Sequence, residues 1–295
     1  MGPLQRNLSV ETGGRLLATA FAMGVNFVDT AESYGNYAHL RWALQQGWSN
    51  RVIVASKSYA VSAEEMEQSV NRALKELGRE YIDIFLLHEQ ESGLTLKGHA
   101  GALEYLWRAK EHGLVRAVGI STHAVAGVRA GAMHPLVEVI HPLFNQAGFG
   151  ILDGTADDML RATRFAHQLG KGVYGMKALA GGHLWRDVPT ALRYALAVEE
   201  LSAIAVGMQN EAEILANVAL FCGQPIPDAV QGRLERQPRR LHVEEWCQGC
   251  GTCLAACKSG ALAIGSSGRV EVNPDRCLCC GYCGRVCPDF CLKVI

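Results

Sequence analysis

Over about its first two hundred residues the chain alternates two periods. Short apolar, β-rich runs stand at 25–29, 52–56, 81–87, 115–120, 137–141, 172–176 and 203–206, and amphipathic helical stretches separate them. The clearest helix is SAEEMEQSVNRALKELG, where Ser62 and Glu65 form a capping box and Gly78 supplies the stop. GALEYLWRAKEHG, closed by Gly113, is another, and the chain opens on a helix in LSVETGGRLLATAFAMG rather than on a strand. Strands that alternate with helices pair in parallel through right-handed crossovers. The pattern predicts an α/β fold, a (β/α)8 TIM-type barrel that is N-terminally incomplete, with seven recognisable strands. An open seven-stranded sheet leaves an unpaired edge beside the strand that ends at Asp29.

The strand ends carry the candidate chemistry. Asp29 closes the first run and Tyr34 lies in the turn after it, in VNFVDTAESYG; Lys57 follows the second run in VIVASK; His88 follows the third in YIDIFLLH. In such a barrel the C-terminal strand ends face the active site, so these four groups converge. An ammonium beside a phenol stabilises the phenolate and lowers its pKa, a carboxylate holds the ammonium in place, and an imidazole orients a carbonyl or relays a proton. Singly, each has a plainer role: Asp29 as a helix cap, Lys57 as a solvated charge, His88 as a core imidazole.

The cysteines are distributed unevenly: Cys222 stands alone, and the other ten lie between Cys247 and Cys291. Cys247, Cys250, Cys253 and Cys257 form C-x2-C-x2-C-x3-C, and Cys277, Cys280, Cys283 and Cys287 repeat it before Pro288. This spacing suits two [4Fe–4S] clusters, the fourth cysteine of each motif reaching across to the other cube. The predicted sets are Cys247, Cys250, Cys253 and Cys287, and Cys277, Cys280, Cys283 and Cys257. Zinc or disulfides are the competing uses of such cysteines. Cys279 and Cys291 lie outside the repeat and read as non-ligands, Cys279 being the readier spare donor.

GVNFVDTAESYG, VIVASK and YIDIFLLH resemble the aldo-keto reductase family, whose tetrad is Asp, Tyr, Lys and His in this order. The resemblance assigns those roles to Asp29, Tyr34, Lys57 and His88 and extends over about residues 9–220. It continues through VRAVGIST, placing Ser121 and Thr122 against a nicotinamide carboxamide, through FNQ with Asn145, and through GVYGMKALAGG. It implies an NAD(P)H cofactor and a small carbonyl or alcohol substrate. The family holds the 2′-phosphate of NADPH with basic residues near the last strand; here VGMQNEAEILANV has none, and Glu213 falls there. A carboxylate repels a 2′-phosphate and accepts from a ribose hydroxyl, which favours NADH. The family also begins with a strand and a hairpin, so MGPLQRNLSV resembles the tail of the loop after that strand and implies N-terminal truncation. Residues 241–295 resemble bacterial two-cluster ferredoxins, a small α+β fold, with Lys258 standing where the first motif has proline.

The implied organisation is a barrel over 1–222, a linker over 223–240 and a ferredoxin-type domain over 241–295. The linker region, with three prolines and the basic cluster RLERQPRR, reads as an extended connector or a helix lying on the barrel. Hydrophobic residues make up 49% of the chain and the net charge is −1, which excludes a nucleic-acid footprint. No basic segment precedes an apolar run at the start, and no apolar stretch is long enough to span a membrane, so the expectation is a cytoplasmic protein. Two functions fit. One is a nicotinamide-dependent oxidoreductase with an attached electron-transfer module; the other is an electron-transfer or scaffold protein whose barrel has lost catalysis. A nicotinamide passes two electrons as hydride and a cube passes one, so the clusters are expected to serve an external redox partner or a substrate reduced singly.

Overall fold

A computed structural model describes residues 8–295; the loop-tail reading of the opening residues falls almost wholly outside that range. The seven expected strands form one parallel sheet: β1 Phe27–Asp29, β2 Ile53–Ser58, β3 Ile82–Leu87, β4 Val115–Thr122, β5 Val139–Pro142, β6 Gly172–Met176 and β7 Ala203–Ala205. Sequence order is spatial order, with registers such as Val28↔Val54 and Phe85↔Val118. Val54, Phe85, Val118, Ile120 and Ile140 are fully buried, and the helices Ala63–Leu77, Ala100–Glu111, Val125–Met133 and Ala156–Gln168 pack around them. Ser62 and Glu65 close the capping box, and Gly78 takes the left-handed conformation that ends the helix.

Two strands run longer than the pattern indicates. β2 continues through Lys57 and Ser58, and β4 through Ser121 and Thr122. Polar residues mark strand ends only when they must reach water, and these four are all buried, with their hydrogen bonds made inside the barrel.

The sheet curls almost shut. β1 is bonded to β2 alone and β7 to β6 alone, yet their Cα atoms approach within 8 Å. The unpaired edge anticipated beside Asp29 is therefore a narrow seam, flanked by the helices Val10–Ala22 and Glu211–Phe221 and continuous with the barrel mouth.

Beyond the barrel, the connector is not simply extended. Pro227 precedes a helix, Asp228–Glu235, whose Val230 and Leu234 (an i, i+4 pair) face Ala212 and Ala216 of the helix Glu211–Phe221. The C-terminal segment is a small α+β unit. β8 Leu241–Val243 pairs antiparallel with β11 Leu292–Val294, and β9 Leu262–Ile264 with β10 Val270–Val272. Leu241, Leu262, Val270, Leu292 and Val294 share its core with Cys247, Cys253, Cys283 and Cys291.

This unit sits on the C-terminal face of the barrel. The loop after β6 carries Gly181 and Gly182, both at positive φ. A Cβ on Gly182 would lie 1.8 Å from the Val294 carbonyl oxygen, and one on Gly181 would lie 2.9 Å from the Phe290 ring, so these glycines let β11 close on the mouth. His183 Nε2 donates to Leu292 O at 2.8 Å and Trp185 Nε1 donates to Cys279 O at 3.1 Å. Among the described residues, no helix is long and apolar enough to cross a membrane.

Candidate active site

The four strand-end groups meet at the mouth. Lys57 Nζ lies 2.8 and 2.7 Å from the two oxygens of Asp29 and 2.7 Å from Thr30 O, so all three of its protons are used. The same ammonium lies 5.3 Å from the centre of the Tyr34 ring, and His88 meets that ring edge-on at 5.8 Å. Burial alone would raise the Asp29 pKa, but the Lys57 ammonium overcomes it and holds the carboxyl at about 2. Burial lowers the Lys57 pKa while Asp29 pulls it back up.

The expected lowering of the Tyr34 pKa does not occur. Burial first, then the charge of Asp29, pushes the phenol well above its ordinary value. The reason is geometric: Lys57 spends its protons on Asp29 and Thr30 rather than on the phenol oxygen. Tyr34 is thus a protonated phenol throughout the neutral range. His88 is driven well below its ordinary value, by burial and then by Lys57, so its imidazole is neutral; its Nδ1 is buried without a partner. A neutral imidazole beside a protonated phenol is a pair suited to polarising a carbonyl and delivering a proton to it.

Two groups that the sequence pattern does not single out complete the charge network. Tyr174 on β6 donates its hydroxyl to Asp29 Oδ1 at 2.9 Å, and His141 on β5 stacks on the Tyr174 ring at 3.8 Å. His141 Nδ1 donates to Tyr174 O at 2.7 Å, leaving Nε2 facing Asp29 Oδ1 at 3.6 Å. Burial brings His141 down to about 4, so it is neutral. Asp29 is therefore held from β2 by Lys57 and from β6 by Tyr174, with the neutral His141 ring stacked on Tyr174.

The rim continues from His88. Tyr59 stacks on His88 at 4.3 Å and donates to Glu89 Oε2 at 2.7 Å; Glu89 Oε1 lies 3.9 Å from His123 Nε2, which accepts from Lys177 Nζ at 2.8 Å. Glu89 and Lys177 both stand at positive φ (52° and 58°), a strained conformation for residues other than glycine. Phe290 of the C-terminal unit closes this side, its ring 4.5 Å from Lys177 Nζ.

The predicted nicotinamide contacts are placed otherwise. Ser121 and Thr122 are fully buried and do not line the cavity. Ser121 Oγ accepts from Glu89 N at 3.0 Å, and Thr122 Oγ1 accepts from Ala124 N at 3.0 Å. His123, one residue on, faces the cavity instead. Asn145 is also buried away from it, bonding Ala147 N and Phe149 N and O to brace its own loop. Glu213 does line the cavity, at the start of the helix Glu211–Phe221. It is not a bare carboxylate: Arg239, from the linker, pairs with it at 3.3 Å. The folded chain thus brings a basic residue beside Glu213 from 26 residues away, which the local sequence does not contain.

The mouth and seam form one cavity of about 1700 Å³, lined by Asp29, Tyr34, His88, Lys177 and Glu213 among others. A small-molecule site usually spans roughly 300–1,000 Å³, so there is room for a dinucleotide and a substrate together. A second, small cavity in the C-terminal unit is lined by Cys247, Cys250, Cys253 and Cys287. It also contains Cys291, whose Sγ lies 3.3 Å from that of Cys287, whereas Cys279 is directed to Arg239 O at 3.7 Å. Cys291, not Cys279, is thus the extra thiol beside this set. No group of three or more His, Cys, Asp or Glu side chains converges on a single metal-ion position among the described residues.

The sequence profile described as "Aldo/keto reductase family" matches residues 2–189. The chain belongs to this family. It is an oxidoreductase of the aldo/keto reductase type, and its curved sheet is the family's barrel with seven strands described. L-galactose dehydrogenase from Arabidopsis thaliana is 24% identical to it over 266 residues, covering 74% of this chain and 79% of the plant protein. An aldo-keto reductase from Bacillus halodurans, solved in its holo form, superposes with a TM-score of 0.61 at 19% identity, over 78% of this chain and 87% of that one. A shorter likeness, 39% identity over 49 residues, links 17% of this reductase to 15% of one component of a Na(+)-translocating ferredoxin:NAD(+) oxidoreductase complex from Acetobacterium woodii.

Proposed function

We propose that the barrel reduces a small carbonyl compound, or oxidises the corresponding alcohol, with a nicotinamide cofactor, and that residues 241–295 form a two-cluster iron–sulfur module. The observation that carries the first part is the Asp29–Lys57 pair beside a protonated Tyr34 and a neutral His88. Such a site argues against a catalytically lost barrel.

The nicotinamide, when bound, supplies hydride to the carbonyl carbon. The chain supplies everything else. Tyr34 Oη gives its proton to the developing alkoxide, His88 orients the carbonyl, and Asp29 keeps Lys57 charged below the ring. Tyr174, backed by the stacked His141 ring, holds Asp29 in that position. The Glu213–Arg239 pair, which also lines the cavity, is suited to the ribose and 2′ position of the nucleotide.

The cysteines fit iron–sulfur cubes. The small cavity gathers the first three cysteines of one motif with Cys287 of the other, which is the cross-motif exchange that two cubes require. Four irons at four corners spread their thiolates around a body rather than a point, so convergence on one ion position is not the relevant geometry. The clusters, when bound, supply one-electron chemistry, and a redox protein is the proposed partner. Gln248 and Asp289 line both the small cavity and the barrel cavity, so the Cys247–Cys287 site adjoins the mouth. The domain limits 1–222, 223–240 and 241–295 accompany this proposal.

With Glu213 neutralised by Arg239, NADH and NADPH are expected to serve comparably, rather than NADH dominating. Steady-state kcat/KM for both nucleotides, measured anaerobically on the wild type and on Arg239→Ala, tests this. The variant leaves Glu213 unpaired and should shift the ratio towards NADH by about tenfold, the order of one charged contact. A ratio that does not move places the adenosine end elsewhere.

A further inference from the structure

The mouth contains an amine that the chemistry above does not use. Lys177 follows β6 and lines the cavity. Its partners among the described residues are the Nε2 of a neutral His123 and the face of Phe290, and no carboxylate lies within ion-pairing distance of it. The two acids of this region are engaged elsewhere: Glu89 by Tyr59, and Glu244 by Lys293 at 2.6 Å. Lys57, by contrast, is buried against its own carboxylate. A buried ammonium without a counter-ion is costly, and a left-handed backbone at the same residue adds strain. That electrostatic cost is retained at a position where the ammonium faces an open cavity, and it is offset when an anion enters. Burial, with Lys293 beside it, brings Lys177 down to about 7, as expected for an ammonium lacking its partner.

We infer that Lys177, with His123, is the anchor for a carboxylate carried by the substrate, so that the preferred substrates are oxo acids rather than neutral aldehydes or ketones. This rests on the carbonyl-reductase reading and deepens it: Tyr34 and His88 take the carbonyl end, Lys177 the acid end. A nucleotide diphosphate offers the same anionic chemistry, and the test separates the two.

The full chain, reconstituted anaerobically, is assayed with phenylglyoxylate and 4-carboxybenzaldehyde, each against its methyl ester. These probes place the charge at two distances from the carbonyl and remove it without changing the reacting group. The wild type should prefer at least one acid over its ester by about 30-fold in kcat/KM, and Lys177→Met should erase that preference, while Lys177→Arg should keep most of it. Calorimetric binding of the same acids to the wild type and to Lys177→Met gives a readout without turnover, with affinity expected to fall by a similar factor. If the wild type turns over none of the four compounds but still binds an acid through Lys177, the reductase reading fails and the carboxylate site stands. Esters preferred or equal for both pairs, or acid binding unmoved by Lys177→Met, overturns the inference. So does a variant that loses NADH affinity while its acid-to-ester ratio is unchanged, because the anion is then the nucleotide's.

Discussion

Replacing Tyr34 by Phe is expected to lower kcat/KM for carbonyl reduction by about a thousandfold while leaving the NADH dissociation constant within about threefold of wild type. The phenol is the protonated group at the centre of the site, and it is kept protonated by burial and by Asp29. Phe fills the same volume against His88 and Lys57, so the loss is of the proton and not of packing. Because Lys57 gives all its protons to Asp29 and Thr30, it does not substitute as the acid. Fluorescence titration for NADH beside steady-state rates separates the two quantities. A Tyr34→Phe enzyme with full activity moves the chemistry to another group.

The second large effect concerns iron. Anaerobic reconstitution should give about eight irons and eight sulfides per chain, and Cys280→Ser should remove about half of them. Cys287→Ser should remove the other half, because Cys287 shares its cavity with Cys247, Cys250 and Cys253. Cys279→Ser should change nothing, since its thiol faces the Arg239 carbonyl. Colorimetric iron and sulfide assays with low-temperature EPR read these outcomes. A reconstituted wild type that held only zinc, or only four irons, contradicts the two-cube assignment.

The barrel was legible because its signals are local. Strand and helix periods repeat within a few residues, and the tetrad sits at strand ends whose direction the parallel pairing determines. The nucleotide contacts were less legible for an equally physical reason. Past the end of β4 the backbone leaves the strand, and it is His123 there, not Ser121 or Thr122 within the strand, that lines the cavity. Asn145 has the right type for a cofactor contact, yet a loop with two backbone donors close by captures its amide first. His141 and Tyr174 lie inside apolar runs, where an imidazole or phenol reads as core until the sheet curls and brings β6 against Asp29. Lys177 directly follows β6 much as Lys57 stands near the end of β2, a parallel visible in the sequence.

Arg239 and Phe290 show the limit most clearly. Each reaches its site from far along the chain, Arg239 to Glu213 and Phe290 to Lys177. No window of sequence contains both partners. The close approach of β11 to Gly182 that brings Phe290 to the mouth is written only as two adjacent glycines after β6.

Hydride transfer to a carbonyl at the Asp29, Tyr34, Lys57 and His88 site is what every other step of this chemistry depends on. The most direct measurement uses NADH carrying deuterium at both C4 positions, incubated anaerobically with the full chain and 4-carboxybenzaldehyde, with the alcohol product analysed by mass spectrometry. Every product molecule should carry one deuterium at the carbinol carbon, and Tyr34→Phe should form it about a thousandfold more slowly. An alcohol that carries no deuterium, or labelled product formed equally fast by Tyr34→Phe, contradicts this.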